Sequence, residues 1–258
     1  TLNLKNKRVI IAFDSKSIGD TIAWFPYVEE FRKKHKCQVI CSTFHNDWFK
    51  SKSPKIEFSQ PGASHPSIYA IYNIGWFYSK NNRIDNKKHP HDFLLHPLQK
   101  TASDILGLNY KEIKPKIKSL PKSFIKEKYV TISIQSTAQC KYWNHPTGWQ
   151  QVVNFLQSKG YKVAVVDQYR EFGVEGFRNT SPIVDYYCNN NSLNEVMSII
   201  KKADFHIGLS SGLSWMAWAL NTPVVLISSF TKPYCEFTTN CTRIYNDTPT
   251  SGYFNTYK

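Results

Sequence analysis

Acidic side chains are scarce in this chain: 19 Asp and Glu stand against 33 Lys and Arg, leaving a net charge of +14 at pH 7. Such an imbalance attracts anionic partners, whether nucleic acid, a phosphate-rich surface or a phosphorylated small molecule. Long apolar runs are missing as well, since none approaches the ~20 residues that a membrane helix needs. The opening TLNLKNKRVIIAFDS enters a strand with no apolar signal-peptide core, so a cytoplasmic protein is expected. Cysteine is confined to positions 37, 41, 140, 188, 235 and 241, without paired C-x-x-C spacing, and reduced thiols are expected. The eight histidines show neither H-x-x-x-H nor H-E-x-x-H, and Cys235 and Cys241 have no further Cys or His at ligand spacing, so no metal is assigned. Zinc-finger, RNP and basic-zipper patterns are absent, which leaves specific nucleic-acid binding resting on charge alone. Ser210 and Ser211 lie in GLSSGL rather than G-x-S-x-G, which argues against a hydrolase nucleophile elbow.

What is present is concentrated in ADFHIGLSSGLSWMAWALNTPVVLISS, residues 203–229, a β-α-β pattern with a polar turn. Phe205 to Gly208 read as a strand end, Ser210, Ser211 and Gly212 as a turn poor in side chains, and Leu213 to Leu220 as an apolar helix. A turn of that kind leaves unpaired N–H groups at a helix N-terminus, where the helix dipole and two hydroxyls can hold an anion. An ordinary serine N-cap fits the same letters, and neither a Walker motif nor G-x-G-x-x-G decides between the two.

The β-α alternation runs through both halves of the chain. Lys7 to Phe13, the turn Asp14 to Asp20, a helix over Thr21 to Lys34 and a strand at Cys37 to Cys41 make a first unit. Tyr69 to Asn73 and Gly75 to Tyr78 are strand pieces, and Leu98 to Leu106 reads as a helix stopped by Gly107. Lys114 to Lys128, with two prolines and six lysines, is the best linker. Beyond it come strands at Tyr129 to Ile134, Lys162 to Asp167 and Ile183 to Tyr187, and helices at Gly148 to Lys159 and Leu193 to Lys202. The phosphate-cradle unit and a strand at Thr222 to Ser228 close the series. The economical architecture is α/β, with two Rossmann-like domains of residues 1–120 and 121–258. Ligands of such folds sit at the carboxyl ends of strands, which expects the turns Asp14 to Asp20, Gln135 to Lys141 and Leu209 to Gly212 around one crevice.

Those turns hold the candidate chemistry. Asp14 and Asp20 follow the first strand, where a carboxylate can serve as a general base on a hydroxyl, and Gly19 lets backbone approach a ligand. Asp20 equally suits helix capping. In QSTAQCKYWNHPTGW, Gln135, Ser136, Thr137, Lys141 and Trp143 precede a helix, and a lysine there can neutralise a departing diphosphate. A plain surface lysine is the alternative. Trp143, Trp149, Trp215 and Trp218 are able to stack on a base or sugar, although Trp215 and Trp218, at i, i+3, suit packing of the helix on its sheet.

The strings GDTIAWFPYVEEF at 19–31, KYWNHPTGW at 141–149 and ADFHIGLSSGLSWMAWALNTPVVLIS at 203–228 resemble bacterial heptosyltransferases of the GT-B fold. IAFDSKSIGDTIAWFPYVEEFRKKH and GLSSGLSWMAWAL are most similar to the branch that glycosylates serines of autotransporter adhesins. The resemblance covers most of residues 8–246 and implies inverting transfer of heptose from ADP-heptose to a protein serine or glycan hydroxyl. It implies a nucleotide-sugar-binding C-terminal domain and an acceptor-side N-terminal domain. Carried over by position, Asp20 is the base and Lys141 contacts the donor phosphates. Ser210, Ser211 and Gly212 cradle the diphosphate, and Ser136 or Thr137 lines the pocket. No divalent metal is implied at the reaction centre. The iron-binding cysteine cluster of the branch is expected to be absent, because NDTPTSGYFNTYK holds no cysteine. A closing C-terminal segment and the extra N-terminal domain of larger members are likewise expected to be absent. A non-catalytic nucleotide-sugar or glycan-binding module derived from such an enzyme is the alternative function, and the sequence leaves the oligomeric state open.

Overall fold

The computed structural model describes residues 3–76, 80–81, 95–173 and 178–245. The chain divides into two compact units, one of Thr1–Lys118 with Tyr234–Glu236, the other of Ser119–Pro233 with Phe237–Lys258.

The first unit is built on the β-branched run β1 (Arg8–Phe13), followed by α1 (Ile18–His35), β2 (Gln38–Ser42), β3 (Ile56–Ser59), β4 (Ala70–Ile74) and α2 (Leu98–Ile105). Its four strands lie parallel in the order β3-β2-β1-β4. Ser17 caps α1 by accepting the Asp20 N–H, and Arg32, Lys33, Lys34 and His35 in the last turn complement the helix dipole. The sequence expects this helix to begin at Thr21; the Ser17 cap starts it three residues earlier. Tyr234–Glu236 joins this unit although it lies far along the chain, with the Leu98 N–H donating to the Cys235 carbonyl at 2.9 Å. Of the expected strand Gly75 to Tyr78, Gly75 and Trp76 lie outside regular structure, and 77–78 lie outside the described residues.

The second unit carries β5 (Tyr129–Ser133), α3 (Gly148–Ser158), β6 (Lys162–Val165), the hairpin β7 (Glu171–Phe172) and β8 (Asn179–Thr180), then β9 (Tyr186–Tyr187) and α4 (Leu193–Lys202). It ends with β10 (His206–Leu209), α5 (Gly212–Ala219), β11 (Val224–Ile227) and β12 (Cys241–Ile244). Six strands form a sheet in the order β12-β11-β10-β5-β6-β9, every pair parallel. Val130, Ile132, Val163, Val165, Ile207 and Leu209 build its core, with Val153 and Leu156 of α3 packed on them. The expected strand Ile183 to Tyr187 shrinks to Tyr186–Tyr187, because Ile183 and Asp185 bond to side chains of α3 and to β6. Trp215 and Trp218 pack with Phe237, at ring separations of 5.0 and 5.2 Å, which is the packing role among the two open to them. The basic stretch Lys114 to Lys128 has no helix or strand and spans the boundary between the units. All six cysteines are free thiols.

Candidate active site

Each unit presents polar groups at the carboxyl ends of its strands. In the first unit, β1 ends at Phe13 and the Asp14 N–H continues the ladder onto the Ile74 carbonyl at 3.1 Å. Asp20 sits one turn later, inside α1, and Ser17 takes the capping role that the sequence left open to Asp20. Its carboxylate is held otherwise: Ser15 Oγ donates to Oδ2 at 2.6 Å and Trp76 Nε1 donates to the same oxygen at 3.4 Å. Gly19 is buried in the same helical turn. The Asp14 carboxyl lies against Gly75, on the spot where a Cβ of residue 75 would stand. Partial burial, and to a smaller extent the charge of Asp20, hold that carboxyl above the usual carboxylate range. Two carboxyls thus share one strand end, and the helix N-terminus favours negative charge on Asp20.

In the second unit the candidate residues leave from neighbouring strands. β10 pairs with β5 in register His206↔Thr131 and Gly208↔Ser133, so the loops that follow, Gln135 to Lys141 and Ser210 to Gly212, start side by side. Beneath them the buried His206 ring is fixed between Thr131 Oγ1 at 3.0 Å and Ser133 Oγ at 3.1 Å, and burial pushes its pKa down to about 3. The ring is therefore neutral and structural. Ser214 Oγ donates to the Leu209 carbonyl at 2.6 Å and closes the turn.

Gly212 opens α5 rather than ending the turn. Ser211 stands at the N-cap position, yet its hydroxyl makes no capping bond. That oxygen is buried with no hydrogen-bond partner, which removes the simple cap from the two readings of this motif. The first N–H groups of α5 have no partner within the helix by geometry, so the start of α5 offers donors and a spare hydroxyl together. Ser210 is buried beside it.

On the β5 side, Gln135 and Ser136 are buried, Thr137 is exposed, and the Gln135 amide donates to the Tyr169 carbonyl at 2.9 Å. Lys141 ends a short 3-10 turn, Gln139–Lys141, is half-buried, and pairs with none of the described carboxylates. The Trp143 ring covers Gly148 and stands edge-on to Trp149 at 5.4 Å, so it packs the start of α3.

Three residues of these sites escape the sequence reading. Trp76 and Ser15 reach Asp20, and the buried carboxyl of Asp167 accepts the N–H groups of Ile134 and Gln135. Asp167 was visible only as the polar end of KVAVVD; nothing in the spacing tied Trp76 to a residue 56 positions earlier.

A parallel-sheet α/β chain with an unpartnered hydroxyl at a helix start and a carboxylate at a strand end is compatible with a GT-B glycosyltransferase, and comparison with known proteins makes the class specific. The sequence pattern of glycosyltransferase family 9 (heptosyltransferase) matches residues 76–256. The chain is 37% identical over 250 residues to the autotransporter heptosyltransferase TibC of Escherichia coli O78:H11, covering 95% of this chain and 60% of TibC. It is 38% identical over 255 residues to the autotransporter heptosyltransferase Aah of Escherichia coli, covering 97% of this chain and 64% of Aah. The crystal structure of dodecameric, iron-containing TibC in complex with ADP-D-β-D-heptose superposes with a TM-score of 0.89 at 36% identity, over 99% of this chain and 67% of that one. A relative named as inactive, the autotransporter heptosyltransferase BimC of Burkholderia thailandensis, is 30% identical over 237 residues, which span 90% of this chain and 55% of BimC. The chain belongs to glycosyltransferase family 9, and it spans about 60% of the length of TibC and Aah. Among the described residues no three His, Cys, Asp or Glu are placed to hold a metal ion. The cysteine-free stretch NDTPTSGYFNTYK lies outside the described residues.

Proposed function

We propose that this chain transfers heptose, with inversion, from ADP-heptose to a hydroxyl of a protein serine or a glycan. The second unit holds the donor in this reading. The diphosphate lies at Ser210, Ser211 and Gly212, with Ser136 and Thr137 beside it and Gln135 behind. The ammonium of Lys141 answers its charge. The first unit supplies the base. Asp20 takes the acceptor proton while the acceptor oxygen forms its bond to the anomeric carbon. The bond from that carbon to the β-phosphate oxygen breaks, and its electron pair leaves with ADP. Lysine and the N-terminus of α5 meet the charge that develops on the leaving group, and the transfer so drawn requires no cofactor. Asp14 contributes its charge next to the base, and Gly19 keeps the first turn of α1 narrow.

The observation that carries the reading is the unpartnered, buried Ser211 hydroxyl at the helix start after β10, the strand paired with β5, from which the Lys141 loop leaves. The ADP-D-β-D-heptose complex of TibC supports the choice of donor, and its dodecameric state supports an oligomer here. No described helix is long and apolar enough to cross a membrane.

Incubation with ADP-heptose and an autotransporter passenger fragment, read by intact mass, tests the proposal. A mass increment of one heptose per site supports it. The inactive relative BimC gives substance to a second reading, a donor-binding module without turnover. Saturable ADP-heptose binding with no increment on any acceptor selects that reading.

A further inference from the structure

One buried carboxyl has no part in the chemistry above. Asp167, two residues beyond β6, is 3% exposed. Its Oδ2 accepts the Ile134 N–H at 2.7 Å, and its Oδ1 accepts the Gln135 N–H at 3.3 Å. These are the first two residues after β5, where the loop to Lys141 begins. The same bend is held from two other directions: Asn179 Nδ2 donates to the Ile134 carbonyl at 2.7 Å, and the Tyr142 hydroxyl donates to the Ser136 carbonyl at 2.9 Å. The loop is therefore gripped at its root by side chains from the β6 end, from β8 and from its own far side.

Asp167 forms no ion pair with any described cation. Burial pushes its pKa up to about 7, against the opposing pull of the two N–H groups. The titratable groups on the adjoining elements are few. Tyr142 on the loop is pushed up by burial and, less, by the Asp167 charge. Cys188 after β9 is pushed up to about 11 by burial, and His206 on β10 stays neutral. Arg170 lies over the Tyr187 ring at 3.8 Å, and Arg178 pairs with Glu171 at 2.9 Å. Ionised, the Asp167 carboxylate accepts both N–H groups. Protonated, it turns an O–H toward one of them and loses that contact.

We propose that Asp167 is the positioning residue of the donor loop, its carboxylate fixing the direction in which Ser136, Thr137 and Lys141 leave β5. The inference rests on the reading that this loop serves the donor diphosphate, and it makes that service depend on pH: the loop is held above neutrality and released below it.

Amide hydrogen exchange over 134–141 in the ligand-free protein, corrected for intrinsic rates, tests the grip directly. The wild-type chain is expected to lose protection about tenfold between pH 8 and pH 6, the range over which the carboxylate fraction falls. Asp167→Asn is expected to show weak protection at both values. Wild-type protection that does not change with pH, or an Asp167→Asn chain as protected as the wild type at pH 8, overturns the proposal. The wild-type comparison stands even if the variant folds poorly. ADP titrations of both proteins then read the purpose of the grip. The difference between them cancels the titration of ADP itself, and the affinity ratio of wild type over variant is expected to grow from pH 6 to pH 8. A constant ratio overturns the positioning role. A wild-type chain that shows the exchange pattern but binds no ADP places the fault in the donor reading instead.

Discussion

The Asp20 carboxylate receives an O–H from Ser15 at 2.6 Å and an indole N–H from Trp76 at 3.4 Å, both on Oδ2. Two donors on one oxygen fix the rotation of the carboxyl, a requirement for a base that must meet an acceptor hydroxyl in one orientation. Asp20→Ala is expected to lower kcat by roughly 10²–10⁴. Trp76→Phe, which keeps the ring and deletes its N–H, is expected to lower kcat several-fold with donor KM unchanged, since a bond to the carboxylate as long as 3.4 Å is worth about 1 kcal/mol. Steady-state kinetics on both variants decide this, and a rise in donor KM without a fall in kcat would move Trp76 out of the base's surroundings. Ser211 separates the cap from the cradle. Because its hydroxyl makes no capping bond, Ser211→Ala should leave the thermal midpoint unchanged where loss of a true cap costs ~1 kcal/mol. The same change should weaken ADP binding roughly ten- to hundredfold, since a hydrogen bond to a charged group is worth about 1.5–3 kcal/mol. A drop in the midpoint with ADP affinity intact restores the cap.

At the scale of elements, the ends of β5 and β10 are joined by a buried polar cluster. A Cβ built on Gly208 comes within 2.5 Å of Ser214 Oγ, 2.6 Å of His206 Nε2 and 2.6 Å of Ser133 Oγ. Gly208→Ala is therefore expected to destabilise the second unit by about 1–3 kcal/mol, read by chemical denaturation, because none of these groups can withdraw without breaking its own hydrogen bond. A neutral result would mean that the cluster is soft. This cluster also marks where sequence reading stops. The runs Lys7 to Phe13 and Tyr129 to Ile134 announced themselves as buried parallel strands, since both faces of such strands are apolar. The α4 boundaries agree with the expected helix Leu193 to Lys202, and in the structure Ser192 and Glu195 hold its start in a reciprocal capping box. β3 and β12 were not legible, being four-residue edge strands whose half-exposed faces leave no apolar run. Asp20, Lys141 and the serine turn drew notice as candidates because each follows a legible strand. Asp167 and Trp76 reach their partners across 33 and 56 residues of sequence, a proximity that only the folded sheet creates.

For the whole molecule, two charges of opposite consequence meet. The surplus of +14 favours the anionic donor proposed above, while Asp167 adds a buried negative charge that the fold must accommodate as pH rises. A carboxyl whose folded pKa is raised from 3.8 to about 7 contributes stability that is fully present below 3.8 and is lost as pH climbs through about 7. The stability of the wild type relative to Asp167→Asn is thus expected to fall between about pH 4 and pH 8, in thermal melts of both proteins. A relative stability that rises over that range would place the carboxylate in a favourable ion pair and contradict the geometry. Loop protection and global stability of the wild type then respond to Asp167 in opposite directions, which no generic loosening of the fold reproduces. The donor itself gives the most direct test of the account. Calorimetric titration of ADP-heptose into the wild type, Asp20→Ala and Lys141→Ala is predicted to give equal affinities for the first two and a clearly weaker one for the third. No heat from the wild type, or equal losses in both variants, would contradict the claim that one unit holds the sugar nucleotide and the other supplies the base.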